Sequence, residues 1–131
     1  MTDRNVLGAD ARSAAAESSH KRSVELRFED IVAFLQNEIG PNLTAYIADR
    51  SLNTVNRWGK SEQQPGDKEE RRLREAYRIF QLITEVDSNH VARAWLMGLN
   101  PQLDDQAPAD VLREDRLREV LVAAKAFRVG G

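Results

Sequence analysis

LTAYIADRSLNTVNRW, residues 43–58, is the stretch whose reading decides the fold. Leu43, Tyr46 and Ile47 fall on one side of a short helix, and Ala45 supplies a small side chain where a second helix must approach closely. The period breaks over Asp49 to Leu52 and resumes over Asn53 to Trp58, where Val55 and Trp58 turn inward. Two short helices joined by a tight turn have the layout of a helix-turn-helix, whose second helix presents exposed side chains to DNA. Here those side chains are Asn53, Thr54, Asn56 and Arg57, with Lys60 just beyond. The chemistry suits the task, because an amide matches the adenine edge and a guanidinium the guanine edge, each through two hydrogen bonds. The same helix pair also serves as a plain packing corner in helical proteins. Residues 28–66 carry three basic against five acidic groups, which weighs on that side.

Helical periodicity continues on both sides of this stretch. Upstream, Phe28, Ile31, Val32, Leu35 and Ile39 share one face, and Gly40-Pro41 supplies a stop. Asn42 is the expected cap of the helix that follows. Downstream, Gln64-Pro65-Gly66 closes the unit, and Asp67 with Glu70 three residues later reads as a capping box. That box opens the longest helix of the chain, with Leu73, Ala76, Tyr77, Phe80 and Ile83 inward. Its Arg71, Arg72, Arg74 and Arg78 alternate with Glu69, Glu70 and Glu75, a pattern that decorates a solvated face and also offers phosphate contacts beside a groove.

Asp87 or Ser88 caps the next helix, in which Val91, Ala94, Trp95 and Leu96 face inward before Gly98 ends it. Trp95 is the expected anchor between the two halves. Asn100-Pro101 turns the chain, and Pro108 starts a short helix that ends near Arg113. A last helix from about Asp115 to Arg128 buries Leu117, Val120, Leu121, Ala124 and Phe127. No alternating strand pattern is present, so the fold class is all-α. The expected divisions are a flexible tail at 1–27, a helix-turn-helix at 28–66, a connecting long helix at 67–87 and a C-terminal helical unit at 88–131.

Composition narrows the function classes. The 131 residues carry 19 basic and 21 acidic side chains, a net charge of −2, with no segment forming a basic block. Cysteine is absent, and the two histidines, His20 and His90, stand 70 positions apart. No nucleophile is therefore paired with a base, no phosphate-binding loop follows a strand, and no metal-ligand spacing exists. The expectation is a non-enzymatic, cytoplasmic, macromolecule-binding protein with no cofactor and no metal. No run of 18 apolar residues and no secretory leader is visible.

From Ala92 onward the chain reads ARAWLMGLNPQLDDQAPADVLREDRLREVLVAAKAFRVGG. Trp95, Asn100-Pro101, Leu103, Pro108, Leu112 and Val120 occur there in an order that resembles the toxin-binding domain of Xre/MbcA/ParS-type antitoxins. The stretch from Ala45 to Trp58 resembles the Xre-type helix-turn-helix that precedes it, so the likeness runs from about Phe28 to Gly131. Two departures stand out: Asp104-Asp105-Gln106 replaces a glycine-containing turn, and Asp49 stands where glycine is preferred. The resemblance implies an antitoxin that neutralises a RES-type, NAD-consuming toxin or a related ADP-ribosyltransferase toxin. It further implies a homodimer that represses its own operon by binding operator DNA. By the same likeness, Lys125, Phe127, Arg128, Val129, Gly130 and Gly131 would form the toxin-binding end. The alternative is an orphan helix-turn-helix DNA-binding regulator without a toxin partner.

Overall fold

The computed structural model describes residues 26–130 of the chain. Among them are seven α-helices: α1 (Phe28–Glu38), α2 (Pro41–Ala48), α3 (Leu52–Gly59), α4 (Asp67–Thr84), α5 (Asn89–Met97), α6 (Pro108–Arg113) and α7 (Leu117–Arg128). A 3-10 turn at Pro101–Leu103 links α5 to α6, braced by an isolated bridge between Asn100 and Gln106. No strand occurs among the described residues, in keeping with the all-α reading. Of the expected tail, residues 1–25 lie outside the described residues, as does Gly131. Leu26 is half-buried against the core and its carbonyl accepts from Arg74 Nη1 at 3.0 Å, so the folded part begins before Phe28.

Helix boundaries follow from turn chemistry, with three corrections to the expected caps. Gly40, at φ +94°, is the N-cap of α2 and Pro41 its first residue, so Asn42 lies inside the helix rather than capping it. A side chain at Gly40 would be strained in that left-handed backbone. The capping box at Asp67 does not form: Gly66 holds the N-cap, and Glu70 accepts from Arg74 Nε at 2.8 Å. Asp67, Glu69 and Glu70 nonetheless place negative charge in the first turn, where the helix dipole favours it. The last helix starts at Leu117 instead of Asp115, because Asp115 takes a left-handed conformation, φ +67°. Ser88 does cap α5, its Oγ accepting from Val91 N at 3.1 Å, while Asp87 accepts from Ser88 N at 2.8 Å.

The buried side chains form one cluster running from Ile31 to Ala124, with α4 as its spine. That helix packs against α1, α2, α5, α6 and α7, which is why Ile79 and Leu82 are buried along with the expected Leu73, Ala76, Tyr77, Phe80 and Ile83. Phe34 of α1 meets the rings of Tyr77 and Phe80 edge-on at 5.1 and 5.5 Å, geometry worth about 0.5–1.5 kcal/mol per pair beyond area burial. Leu96 and Val120 are buried as expected, and Leu103 and Leu112 are buried with them. Two expectations for α5 fail: Ala94 is exposed, and Trp95 is half-buried against Phe127, ring centroids 6.3 Å apart, rather than a core anchor. A nine-residue helix lying at the edge of the core buries only one face, and Ala92 and Leu96 occupy it.

The charged side of α4 is also not the solvated face its alternating charges suggest. Arg72 and Glu69 are both only 6% exposed, and Arg74 is tied to Glu70 and the Leu26 carbonyl. Of Arg71, Arg72, Arg74 and Arg78, Arg71 alone is exposed. No helix among the described residues is long and apolar enough to cross a membrane.

Candidate functional site

The helix pair α2–α3 is built as its sequence demands. Ala45 and the buried Thr44 let α3 approach, and the Thr44 hydroxyl finds its partner locally by donating to the Gly40 carbonyl at 2.8 Å. Val55 and Trp58 are buried, with Trp58 edge-on to Phe28 at 5.8 Å. Ser51 caps α3, its Oγ accepting from Thr54 N at 3.2 Å. Capping fixes where the helix starts, and hence which residues its outer face carries.

That outer face brings four of the five expected DNA-reading residues together. Asn53, Asn56, Arg57 and Lys60, with Glu62, line a shallow open depression of about 220 Å³. Thr54 is not among them: it is half-buried, and its Oγ1 accepts from the Ser51 hydroxyl at 3.1 Å. Two participants escaped sequence reasoning. Glu62 enters because the chain folds back after α3, its amide donating to the Arg57 carbonyl at 2.8 Å. Gln36 of α1 donates from Nε2 to Asn56 Oδ1 at 2.9 Å, a contact across 20 positions that no local pattern signals.

The carboxyl end of α2, which leads into the turn, is held by side chains from far along the chain. Arg72 Nη1 donates to the Ala48 carbonyl at 2.8 Å, while its Nε and Nη2 bind both oxygens of Asp115 at 2.8 and 3.0 Å. The Arg72 guanidinium draws the Asp115 carboxyl below its ordinary pKa, against the opposing effect of partial burial. Arg113 donates to the Tyr46 carbonyl at 3.0 Å and to Asp49 Oδ1 at 2.6 Å, with its guanidinium 4.3 Å from the Tyr46 ring centre. The Tyr46 hydroxyl donates to Asp110, which raises the phenol pKa because ionisation would break that bond beside a carboxylate. Two cations thus cap the negative end of the α2 dipole. Charge alternation along α4 gave no means of singling out Arg72, and nothing local marks Arg113 or Asp115.

Toward the C-terminus of the chain the expected partner-binding residues divide into two kinds. Phe127 packs against Trp95, and Arg128 Nη1 is paired with Glu85 at 2.8 Å, so both are engaged within the fold. Lys125 is exposed, Val129 is 78% exposed and Gly130 carries φ +88° with open space around it. Near them on α4, burial pushes the Glu75 carboxyl up despite the Arg78 and Lys125 cations, and its Oε2 has no hydrogen-bond partner. Met97 and Leu99, at 50% and 76% exposure, and Val122, at 56%, add exposed apolar side chains in the C-terminal half. Among the described residues no group of three or more metal-ligating side chains comes together.

No family model matches the chain, and no curated protein is similar to it in sequence. Its fold is similar to that of a chain in a solved assembly described as the crystal structure of the M. tuberculosis MbcT–MbcA toxin–antitoxin complex. The superposition has a TM-score of 0.59 and covers 93% of this chain and 97% of that one, at 22% sequence identity. At that identity the likeness is one of fold, and it runs nearly the full length of both chains.

Proposed function

We propose that this chain is the antitoxin of a toxin–antitoxin pair, holding a toxin through its C-terminal half and operator DNA through α3. The observation that carries the reading is the fold likeness, over nearly the full length of both chains, to a chain of a toxin–antitoxin complex. The proposed toxin is of the RES type, consuming NAD, or a related ADP-ribosyltransferase. Contacts to it would centre on Lys125, Val129 and Gly130, because Phe127 and Arg128 are already committed to Trp95 and Glu85. The proposed organisation assigns residues 28–66 to DNA, 67–87 to the connecting helix and 88–131 to the toxin.

The test is co-expression with the adjacent reading frame, followed by gel filtration and measurement of cellular NAD. The expected result is a stable complex and preserved NAD, with Val129→Asp abolishing protection while leaving the melting temperature unchanged. Absence of any complex would overturn the antitoxin reading and leave the orphan DNA-binding regulator. That second reading is favoured by the convergence of Asn53, Asn56, Arg57 and Lys60 on one depression. For the DNA arm, Arg57→Ala is expected to weaken specific binding by about 1–3 kcal/mol. With only Arg57 and Lys60 as cations there, log K should fall with log salt at a slope of about −2 per protomer. Footprinting at low salt that protects no upstream site would remove DNA from the proposal.

A further inference from the structure

Asn56 is the one residue of the reading face whose amide is held by a side chain from another element. Gln36, on α1, donates from Nε2 to Asn56 Oδ1 at 2.9 Å. An exposed asparagine on a helix surface ordinarily samples both orientations of its amide, and binding must then freeze one of them. In the structure Oδ1 faces the Gln36 donor, which presents the amide in that sense. Oδ1 keeps its second lone pair and Nδ2 keeps both of its hydrogens. Adenine presents an acceptor at N7 beside a donor at N6, whereas guanine presents two acceptors at N7 and O6. An amide fixed with its acceptor and donor side by side complements the first pattern and sets its oxygen against O6 in the second.

From this we infer that Gln36 is a positioning residue that locks Asn56 to read adenine. It need not touch the base itself. The inference rests on the DNA-binding reading of α3 and adds to it a residue outside the helix pair. Gln36 lies on the rim of α1 next to Gly59, where an added side chain would meet Val32 and Gln36 itself, so α3 is held close enough for the bond to form. Gln36 is half-buried and outside the core cluster, so its substitution leaves the packing of α1 in place.

The experiment uses the full chain and duplexes spanning the region upstream of its own gene, with every base pair of the footprinted site replaced in turn. Asn56→Ala identifies the pair at which discrimination vanishes. Gln36→Ala is expected to reduce the adenine preference at that pair by about threefold to tenfold, leaving preferences at other pairs unchanged. In the Asn56→Ala background the same substitution should change nothing. Gln36→Glu, which conserves size but can only accept, should turn the Asn56 amide around and abolish the adenine preference more completely than Gln36→Ala. Equal weakening at all base pairs, or additive effects of the two substitutions, would show that Gln36 acts only on folding or general affinity and overturn the inference. Failure of the unmodified chain to bind any upstream duplex sinks the DNA-binding reading and this inference together, whereas binding by the unmodified chain with no site-specific effect of Gln36→Ala overturns this inference alone. Melting curves of each variant separate loss of reading from loss of structure.

Discussion

Asp49 stands at the turn between α2 and α3 in a left-handed conformation, φ +60°, which costs a non-glycine residue about 1 kcal/mol. Its carboxylate offsets that strain by accepting from Arg113 at 2.6 Å. The two effects are of similar size, because a half-exposed ion pair contributes about 0.2–1 kcal/mol. Asp49→Gly should therefore change stability by less than about 0.5 kcal/mol in urea unfolding, whereas Asp49→Ala, which loses the pair and keeps the strain, should cost about 1 kcal/mol. Equal losses for the two would mean the backbone strain is negligible. Glu75 poses the opposite case. Burial raises its carboxyl pKa in the folded chain, so the folded state binds the proton more tightly than the unfolded one, and stability falls as pH rises through the window between the two values. Glu75→Gln should raise the melting temperature at pH 7, and the gain should shrink and vanish as pH falls well below the unfolded carboxyl's value of about 4.3, where the group is protonated in both states. A gain independent of pH would trace the effect to packing instead.

Among elements, α3 depends most on its ends. It has eight residues, too few to be stable alone, and its first turn is held by Ser51 Oγ. Ser51→Ala should cost about 1 kcal/mol of stability and, under the proposed DNA-binding function, weaken that binding beyond the effect on folding, since Asn53 and Asn56 lie within the first turns. Amide hydrogen exchange at Thr54 and Val55 measures the first; an unaltered exchange rate would show that the turn is held by packing alone. The α4 helix differs in kind, because almost every face meets another helix and its length lets one element serve both halves. Its buried Arg72 joins them directly, from the Ala48 carbonyl to Asp115. Cap positions illustrate what local sequence leaves open. Gly66 and Gly40 displaced Asp67 and Asn42 as caps by one and two residues, because the backbone entering each helix is set by the preceding loop.

At the scale of the molecule, the two halves share one core and should unfold together. Arg72→Met leaves Asp115 without its bidentate partner and the Ala48 carbonyl without a donor, an expected loss of about 2–4 kcal/mol at pH 7. The Asp115 carboxyl has a folded pKa below its unfolded value, so the pair's contribution is fully present above the unfolded value and disappears as pH falls through the folded one. The penalty of Arg72→Met should accordingly shrink below about pH 4. A single calorimetric transition is expected for the native protein and for Arg72→Met alike; a variant that melts in two steps would show the halves to be separable. Trp95→Ala, at a half-buried edge site facing Phe127, should cost about 1–3 kcal/mol and leave the chain folded, less than a fully buried tryptophan would.

What the sequence by itself determined is the set of elements and, α5 apart, the main residues of their inward faces. Ile31, Val32 and Leu35, then Val55 and Trp58, then Leu73, Ala76, Tyr77, Phe80 and Ile83, are each spaced so that a helix buries them, and each is buried. Proline and glycine at Gly40-Pro41, Gly98 and Pro108 likewise mark boundaries, because their backbone preferences act without help from distant residues. Four of the five residues expected to read DNA meet in one depression for the same reason: they share one outward face of one helix. Only the tertiary structure decided which charges are buried and which side chains hold others in place. Arg72, Arg113 and Gln36 act on Ala48, Asp49 and Asn56 across 24, 64 and 20 positions. Contacts of that range depend on how helices cross, and a helix's own periodicity carries no information about which partner will cross it.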